Sequence, residues 1–117
     1  MSVFSFLKGP DINQGVYEYL RSEGAMLLDV RTPYEYRTGH IPGSRNLPLQ
    51  SLEDAPELPE RKDTPLFVYC HSGARSRQAV EELRDMGYTN AKNIGGILSY
   101  TGKTAFCDKI TETAYTV

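Results

Sequence analysis

The run Ala25-Met26-Leu27-Leu28-Asp29-Val30 constrains the fold of this chain more than any other stretch. It is almost continuously apolar and carries no helical caps, so it reads as a strand covered on both faces, the kind found in parallel sheets. Leu66-Phe67-Val68-Tyr69, directly after Pro65, is a second such strand, with β-branched and aromatic members. Parallel neighbours need crossover connections, and helical patterns stand where they are needed. Asp11 is the expected N-cap of a first helix with Ile12, Val16, Tyr19 and Leu20 on one face. Gly15 weakens that helix by roughly 1 kcal/mol relative to Ala, and Gly24 stops it. A short second helix starts at Thr32 or Pro33, with Glu35 completing a capping pattern, and closes at Gly39. From Ser76, the residues Ala79, Val80, Leu83 and Met86 form the stripe of a third helix that ends at Gly87.

The remaining segments are short. A strand is expected around Asn46 and Leu47, and Ser51 should cap a brief helix ending near Pro56. The stretch 57–64 holds Pro59 and five charged residues, which makes it an exposed connection. Thr89 to Ile94 forms another strand, Gly95-Gly96 a tight turn and Ile97 to Thr101 a helical turn. The expected architecture is therefore α/β, a small, mostly parallel sheet of about five strands flanked by helices. With 117 residues there is room for one domain with one modest core, spanning 1–117. The tail 102–117 has few apolar anchors and no period, and it is left unassigned.

Charge and composition exclude several classes. A net charge of −2, with 39% hydrophobic and 24% charged residues, gives no electrostatic reason to expect a nucleic-acid or anionic-membrane partner. The first eight residues do not resemble a signal peptide and no apolar span is long enough to cross a membrane, so a cytoplasmic location is expected. Two cysteines far apart could form one disulfide, but a cysteine at a strand tip before a helix is better explained as a reduced thiol. No cofactor is implied. Metal binding is not expected either, since adjacent Cys70 and His71 have no chelating spacing and no second ligand pair accompanies them.

The chemistry concentrates in Cys70-His71-Ser72-Gly73-Ala74-Arg75-Ser76, which joins the Leu66 strand to the third helix. Cys70 stands at the strand's carboxyl end, where ligands bind in open α/β sheets. Unpaired N–H groups at a helix N-terminus carry partial positive charge and favour a thiolate over a thiol. Gly73 and Ala74 bring little bulk to a tight curl, and Arg75 adds a cation inside the curl that can pair with the loop or with a nearby carboxylate. Asp29 and Arg31 are expected to be structural, the carboxylate satisfied by backbone N–H groups or an arginine, with Glu35 pairing to Arg31. His40 is expected to be a turn histidine that hydrogen-bonds the backbone. Cys107 is expected to be a plain tail residue, the alternative being a thiol that resolves an oxidised Cys70.

Four separated motifs, spread over about Ile12 to Thr101, carry a resemblance to the rhodanese (sulfurtransferase) family. They are Leu28-Asp29-Val30-Arg31 with Glu35, Gly39-His40-Ile41-Pro42-Gly43-Ser44 with Asn46-Leu47-Pro48, the Cys70 to Ser76 loop, and Gly95-Gly96. Tyr100 stands where the family often has Trp. The resemblance implies a single-domain rhodanese with Cys70 as the nucleophile. The loop from Cys70 to Arg75 would point its backbone N–H groups at a persulfide sulfur, and His71, Ser72, Gly73, Ala74, Arg75 and Ser76 would bind substrate. The implied reaction moves a sulfane sulfur from a small anionic donor such as thiosulfate to a thiol or cyanide acceptor, a protein thiol included. Two other classes stay open: a cysteine-dependent phosphatase or arsenate reductase, and a non-catalytic binding module. The four residues between Cys70 and Arg75 make a loop one residue shorter than those phosphatases use, which suits one sulfur atom better than a phosphoryl group.

Overall fold

The structure, a computed structural model, describes residues 9–106. The first helix, α1 (Ile12–Leu20), has Asp11 as its N-cap, whose carboxylate accepts from the N–H groups of Asn13 and Gln14. It leads to β1 (Met26–Asp29). Next comes α2 (Pro33–Arg37), where Thr32 and Glu35 form a reciprocal capping box and Pro33 opens the helix. After β2 (Arg45–Asn46), a 3-10 turn over Leu49–Asp54 leads toward β3 (Leu66–Cys70). The long helix α3 (Ala74–Asp85), β4 (Ala91–Gly96) and a 3-10 turn at Ile97–Ser99 complete the order.

The four strands run parallel in the order β2-β1-β3-β4. The sheet thus has one strand fewer than the sequence suggests. The nearest thing to another strand pair among the described residues is an isolated antiparallel bridge between His40 and Ala105. Three local expectations also change. Pro48, not Ser51, stands at the start of the 3-10 turn, and Ser51 lies inside it with non-helical backbone angles. Gly95 and Gly96 are not a free turn but the last residues of β4, paired with Tyr69 and Cys70. Asn93 pairs with Val68 and Gly95 with Tyr69, so Ile94 is the extra residue of a bulge. Gly15, a weak helix former, is needed for packing: a Cβ there would collide with Ile94.

Alternation along the strands sorts the core into two layers. Leu28, Val30, Leu66, Val68 and Cys70 face α3 and the 3-10 turn, packing with Leu52, Ala79, Val80 and Leu83. Leu27, Phe67 and Tyr69 face the other way, onto Ile12, Ile41 and Ile94. All five residues of β3 are buried, which is why the central strands carry near-continuous apolar runs. The 57–64 connection is mostly exposed, as expected, and is tied down where Tyr88 donates its hydroxyl to the Pro59 carbonyl at 2.6 Å and Leu58 packs on the core. Tyr100 packs on the α1-side layer and donates its hydroxyl to the Lys103 carbonyl at 2.9 Å. Cys107 lies outside the described residues.

Candidate active site

The strand repeat puts Cys70 on the α3 side of the sheet, beneath that helix's first turn. After Cys70 the backbone reverses through Gly73, whose φ of +107° favours glycine, and Gly73 is the N-cap of α3 with no side-chain cap over the first amides. The Gly73 N–H donates to Cys70 Sγ at 3.0 Å, and the Ser76 hydroxyl lies 3.5 Å from the same sulfur. Burial pushes the Cys70 thiol up. The Ser76 hydroxyl and the N–H groups of Ser76, Gly73 and Ser72 oppose it and prevail, leaving the thiol more acidic than an ordinary one. The sequence places α3 from Ser76; it begins two residues earlier, which brings its first amides to the sulfur.

The loop is held from the β4 side. Leu98 N–H donates to the His71 carbonyl at 3.1 Å. Gly96 packs so closely that a Cβ there would overlap the backbone of His71 and Ser72. His71, Ser72 and Ala74 remain exposed at the rim, while Ser76 is wholly buried. A cavity of about 850 Å³ opens beside the loop, with Ser72, Gly73, Ala74, Arg77, Asn93 and Leu98 in its wall. Arg77 makes no ion pair among the described residues.

Arg75 points toward α2, where it meets Glu35 in a two-pronged pair, Nη1 to Oε1 at 2.8 Å and Nη2 to Oε2 at 3.0 Å. This corrects the expected Glu35–Arg31 pairing and agrees with the expectation that Arg75 finds a carboxylate. The Arg75 guanidinium, aided by the Thr32 N–H, holds the Glu35 carboxyl down at about 2. Arg31 instead folds inward onto Asp29. Its Nε lies 3.0 Å from Oδ1, and its Nη2 lies 2.7 Å from both Oδ2 and the Gly39 carbonyl. Asp29 Oδ1 also accepts from the Arg31 N–H at 2.9 Å, so this pair is structural, as its residue types and position imply. His40 Nδ1 lies 2.8 Å from the Tyr36 carbonyl, which can only accept, so that nitrogen carries the proton, as expected of a turn histidine.

Asn93 is the site residue that pattern reading misses. Its Oδ1 accepts from the Ser76 hydroxyl at 2.7 Å and from the Gly95 N–H at 3.0 Å, and its Nδ2 donates to the Gly73 carbonyl at 3.4 Å. The available signal was an Asn two residues before a glycine, the spacing at which an Asn side chain bonds the backbone. No group of three or more His, Cys, Asp or Glu side chains stands together among the described residues. Nor is any described helix long and apolar enough to cross a membrane.

A parallel α/β sheet with a cysteine at the end of an inner strand, under the amides of the next helix, defines a recognisable class of strand-end thiol proteins. The chain belongs to the rhodanese-like domain family, whose pattern matches residues 13–103. Thiosulfate sulfurtransferase PspE of Escherichia coli (strain K12) is 42% identical over 72 residues, covering 60% of this chain and 68% of that protein. Thiosulfate:glutathione sulfurtransferase of Homo sapiens is 37% identical over 90 residues, covering 66% of this chain and 78% of that one. Among solved structures, a rhodanese with anions from E. coli superposes with a TM-score of 0.60 at 32% identity, covering 70% of this chain and 98% of its own.

Proposed function

We propose that this protein is a sulfurtransferase in which Cys70 carries the transferred sulfur as a persulfide. The observation that carries the reading is the Cys70 sulfur, buried at the end of β3, accepting the Gly73 N–H at the uncapped start of α3. The names of the relatives, thiosulfate sulfurtransferases among them, supply the donor class. In the first step the Cys70 thiolate attacks the outer sulfur of thiosulfate. The S–S bond of the donor breaks, its electron pair leaves with sulfite, and a Cys70 persulfide anion remains. In the second step an acceptor thiolate attacks the terminal sulfur, and the bonding pair returns to Cys70 as thiolate.

The backbone N–H groups of Ser72, Gly73 and Ala74 and the Ser76 hydroxyl would cradle the terminal sulfur, whose charge a helix N-terminus stabilises. Arg75, engaged by Glu35, would contribute positive field and loop shape rather than a free fork for the donor. His71 would stand at the entrance. The cavity beside the loop has Ser72, Gly73 and Ala74 in its wall but not Cys70. A cytoplasmic setting, which keeps thiols reduced, belongs to the reading and is checked by fractionation.

The test is a mass spectrum after thiosulfate treatment. A gain of one sulfur atom, removed by cyanide and absent in Cys70→Ser, is expected. No gain from a panel of sulfane donors, in protein whose Cys70 still alkylates fully, overturns the proposal. Turnover of an aryl phosphate that Cys70→Ser abolishes would assign phosphatase chemistry instead.

A further inference from the structure

The Ser76 hydroxyl has one proton and four acceptors within reach. They are Asn93 Oδ1 at 2.7 Å, the Gly73 carbonyl at 3.1 Å, and Cys70 Sγ and the Gly95 carbonyl, each at 3.5 Å. The shortest of these contacts is to Asn93, not to the sulfur. The orientation of the Asn93 amide is unambiguous, because its oxygen faces the Gly95 N–H, which can only donate, and its nitrogen faces the Gly73 carbonyl, which can only accept. Ser76 is wholly buried, so water does not offer its hydroxyl another partner.

We infer that Asn93 is a positioning residue for Cys70: it draws the Ser76 hydroxyl proton away from the sulfur in the thiol state and releases it to the sulfur when the thiolate forms. Release is cheap for the amide, since Oδ1 keeps the Gly95 N–H when the hydroxyl turns. The thiolate gains the hydroxyl as a further donor beside the loop N–H groups, and a charge-assisted bond outweighs a neutral one. The Asn93 oxygen therefore competes with the thiolate for a single proton. It keeps Cys70 less acidic than the loop alone would make it, which preserves nucleophilicity in the anion that remains.

The other charged groups near the sulfur are held by partners of their own or stand at the rim. Arg75 on α3 is held by Glu35 of α2, and Asp29 of β1 is held by Arg31. His71 follows Cys70 at the loop rim. None of them is hydrogen-bonded to Asn93 or Ser76.

The inference concerns the thiolate that the sulfur-transfer reading requires, but its test measures thiol ionisation alone, so either can fail without the other. The midpoint of Cys70 alkylation by iodoacetamide against pH would be compared in the native protein, Asn93→Ala, Ser76→Ala and the double variant. Removing the competing acceptor should lower the midpoint by about half a pH unit, roughly a threefold larger thiolate fraction below it. Ser76→Ala should raise it, and Asn93→Ala should have no effect in the Ser76→Ala background. A midpoint that rises or stays put in Asn93→Ala, or that falls equally in both backgrounds, overturns the inference. If Asn93→Ala does not fold, Asn93→Val, a better strand former that also lacks the acceptor, gives the same readout.

Discussion

Two polar clusters stand at the same end of the sheet, on neighbouring strands, and they are built to opposite ends. At the end of β1, Asp29 and Arg31 are closed on each other and almost without solvent contact, at 0% and 5% side-chain exposure. Both Asp29 carboxylate oxygens and the Arg31 Nε and Nη2 are engaged by each other or by backbone, and Asn46 caps the carbonyls of Asp29 and Arg31 at 3.0 and 2.9 Å. At the end of β3, Cys70 is just as buried, yet it faces the amides of a helix that has no side-chain cap. Its nearest ion pair, Glu35–Arg75, stays about a third exposed. The first cluster has its carboxylate and most of its guanidinium closed on each other, whereas the second leaves helix amides facing a sulfur. Burial of a charged or nucleophilic group thus says little about role until its partners are counted.

If the β1 cluster is a structural knot, breaking it should cost more stability than any change at the β3 cluster. Asp29→Ala strands the Arg31 guanidinium in the interior, and a loss of about 3–5 kcal/mol is expected in urea unfolding. A loss no larger than that of a surface pair would erase the contrast. Next in size is Gly96→Ala. Its methyl group would meet the backbone of His71 and Ser72, which cannot rotate aside, so about 1–3 kcal/mol of stability should go, with a slower Cys70 alkylation as the loop shifts. Unchanged alkylation at reduced stability would show that the loop does not depend on β4. Tyr69→Phe tests the α1 side of the same strand end. The Tyr69 hydroxyl accepts the buried Ile41 N–H at 3.0 Å, and leaving that donor unpaired should cost about 1–3 kcal/mol while Cys70 alkylation stays near native.

The smallest effect belongs to Glu35→Gln, which keeps a side-chain acceptor for the capping box and removes only the charge. With both partners about a third exposed, roughly 0.2–1 kcal/mol is expected. Its pH dependence is diagnostic. The Glu35 carboxyl is lowered from 4.5 to about 2 on folding, so the pair's contribution is fully present above 4.5 and is lost as pH falls toward about 2. The stability difference between native protein and Glu35→Gln should therefore shrink over that window and vanish below it. A difference that persists in acid would mean that the pair is not its source.

Much of this was legible in the residues because it is local. Asp11 capping α1, the Thr32–Glu35 capping box and the apolar runs of β1 and β3 follow from backbone valence and the two strand faces. Asp29 with Arg31 lies two residues apart, near enough for position and residue type to imply a structural pair. Two misses were local, Ser51 lying inside its turn and α3 starting at Ala74, and the others were contacts between distant segments. Glu35 pairs with Arg75, forty residues away, rather than with the nearer Arg31, because Arg31 lies in the core against Asp29 and the first turn of α2 lies over the start of α3. Gly95-Gly96, expected as a tight turn, is a strand end beyond the bulge at Ile94, since only pairing with β3 shows that the ladder continues.

From sequence alone come the strands buried on both faces, the crossover helices between them and a cysteine placed where a strand hands over to a helix. Pattern suffices there because period and capping are properties of neighbouring residues. Tertiary structure alone decided that Asn93 reaches under the loop to the Ser76 hydroxyl, that Gly96 leaves no space behind His71, and that the carboxylate engaging Arg75 is Glu35. Those facts depend on how strand ends are stacked across the sheet. Each joins segments far apart in the chain, a strand to a helix, a strand to a loop or one helix to another, and no stretch of the chain contains that information by itself.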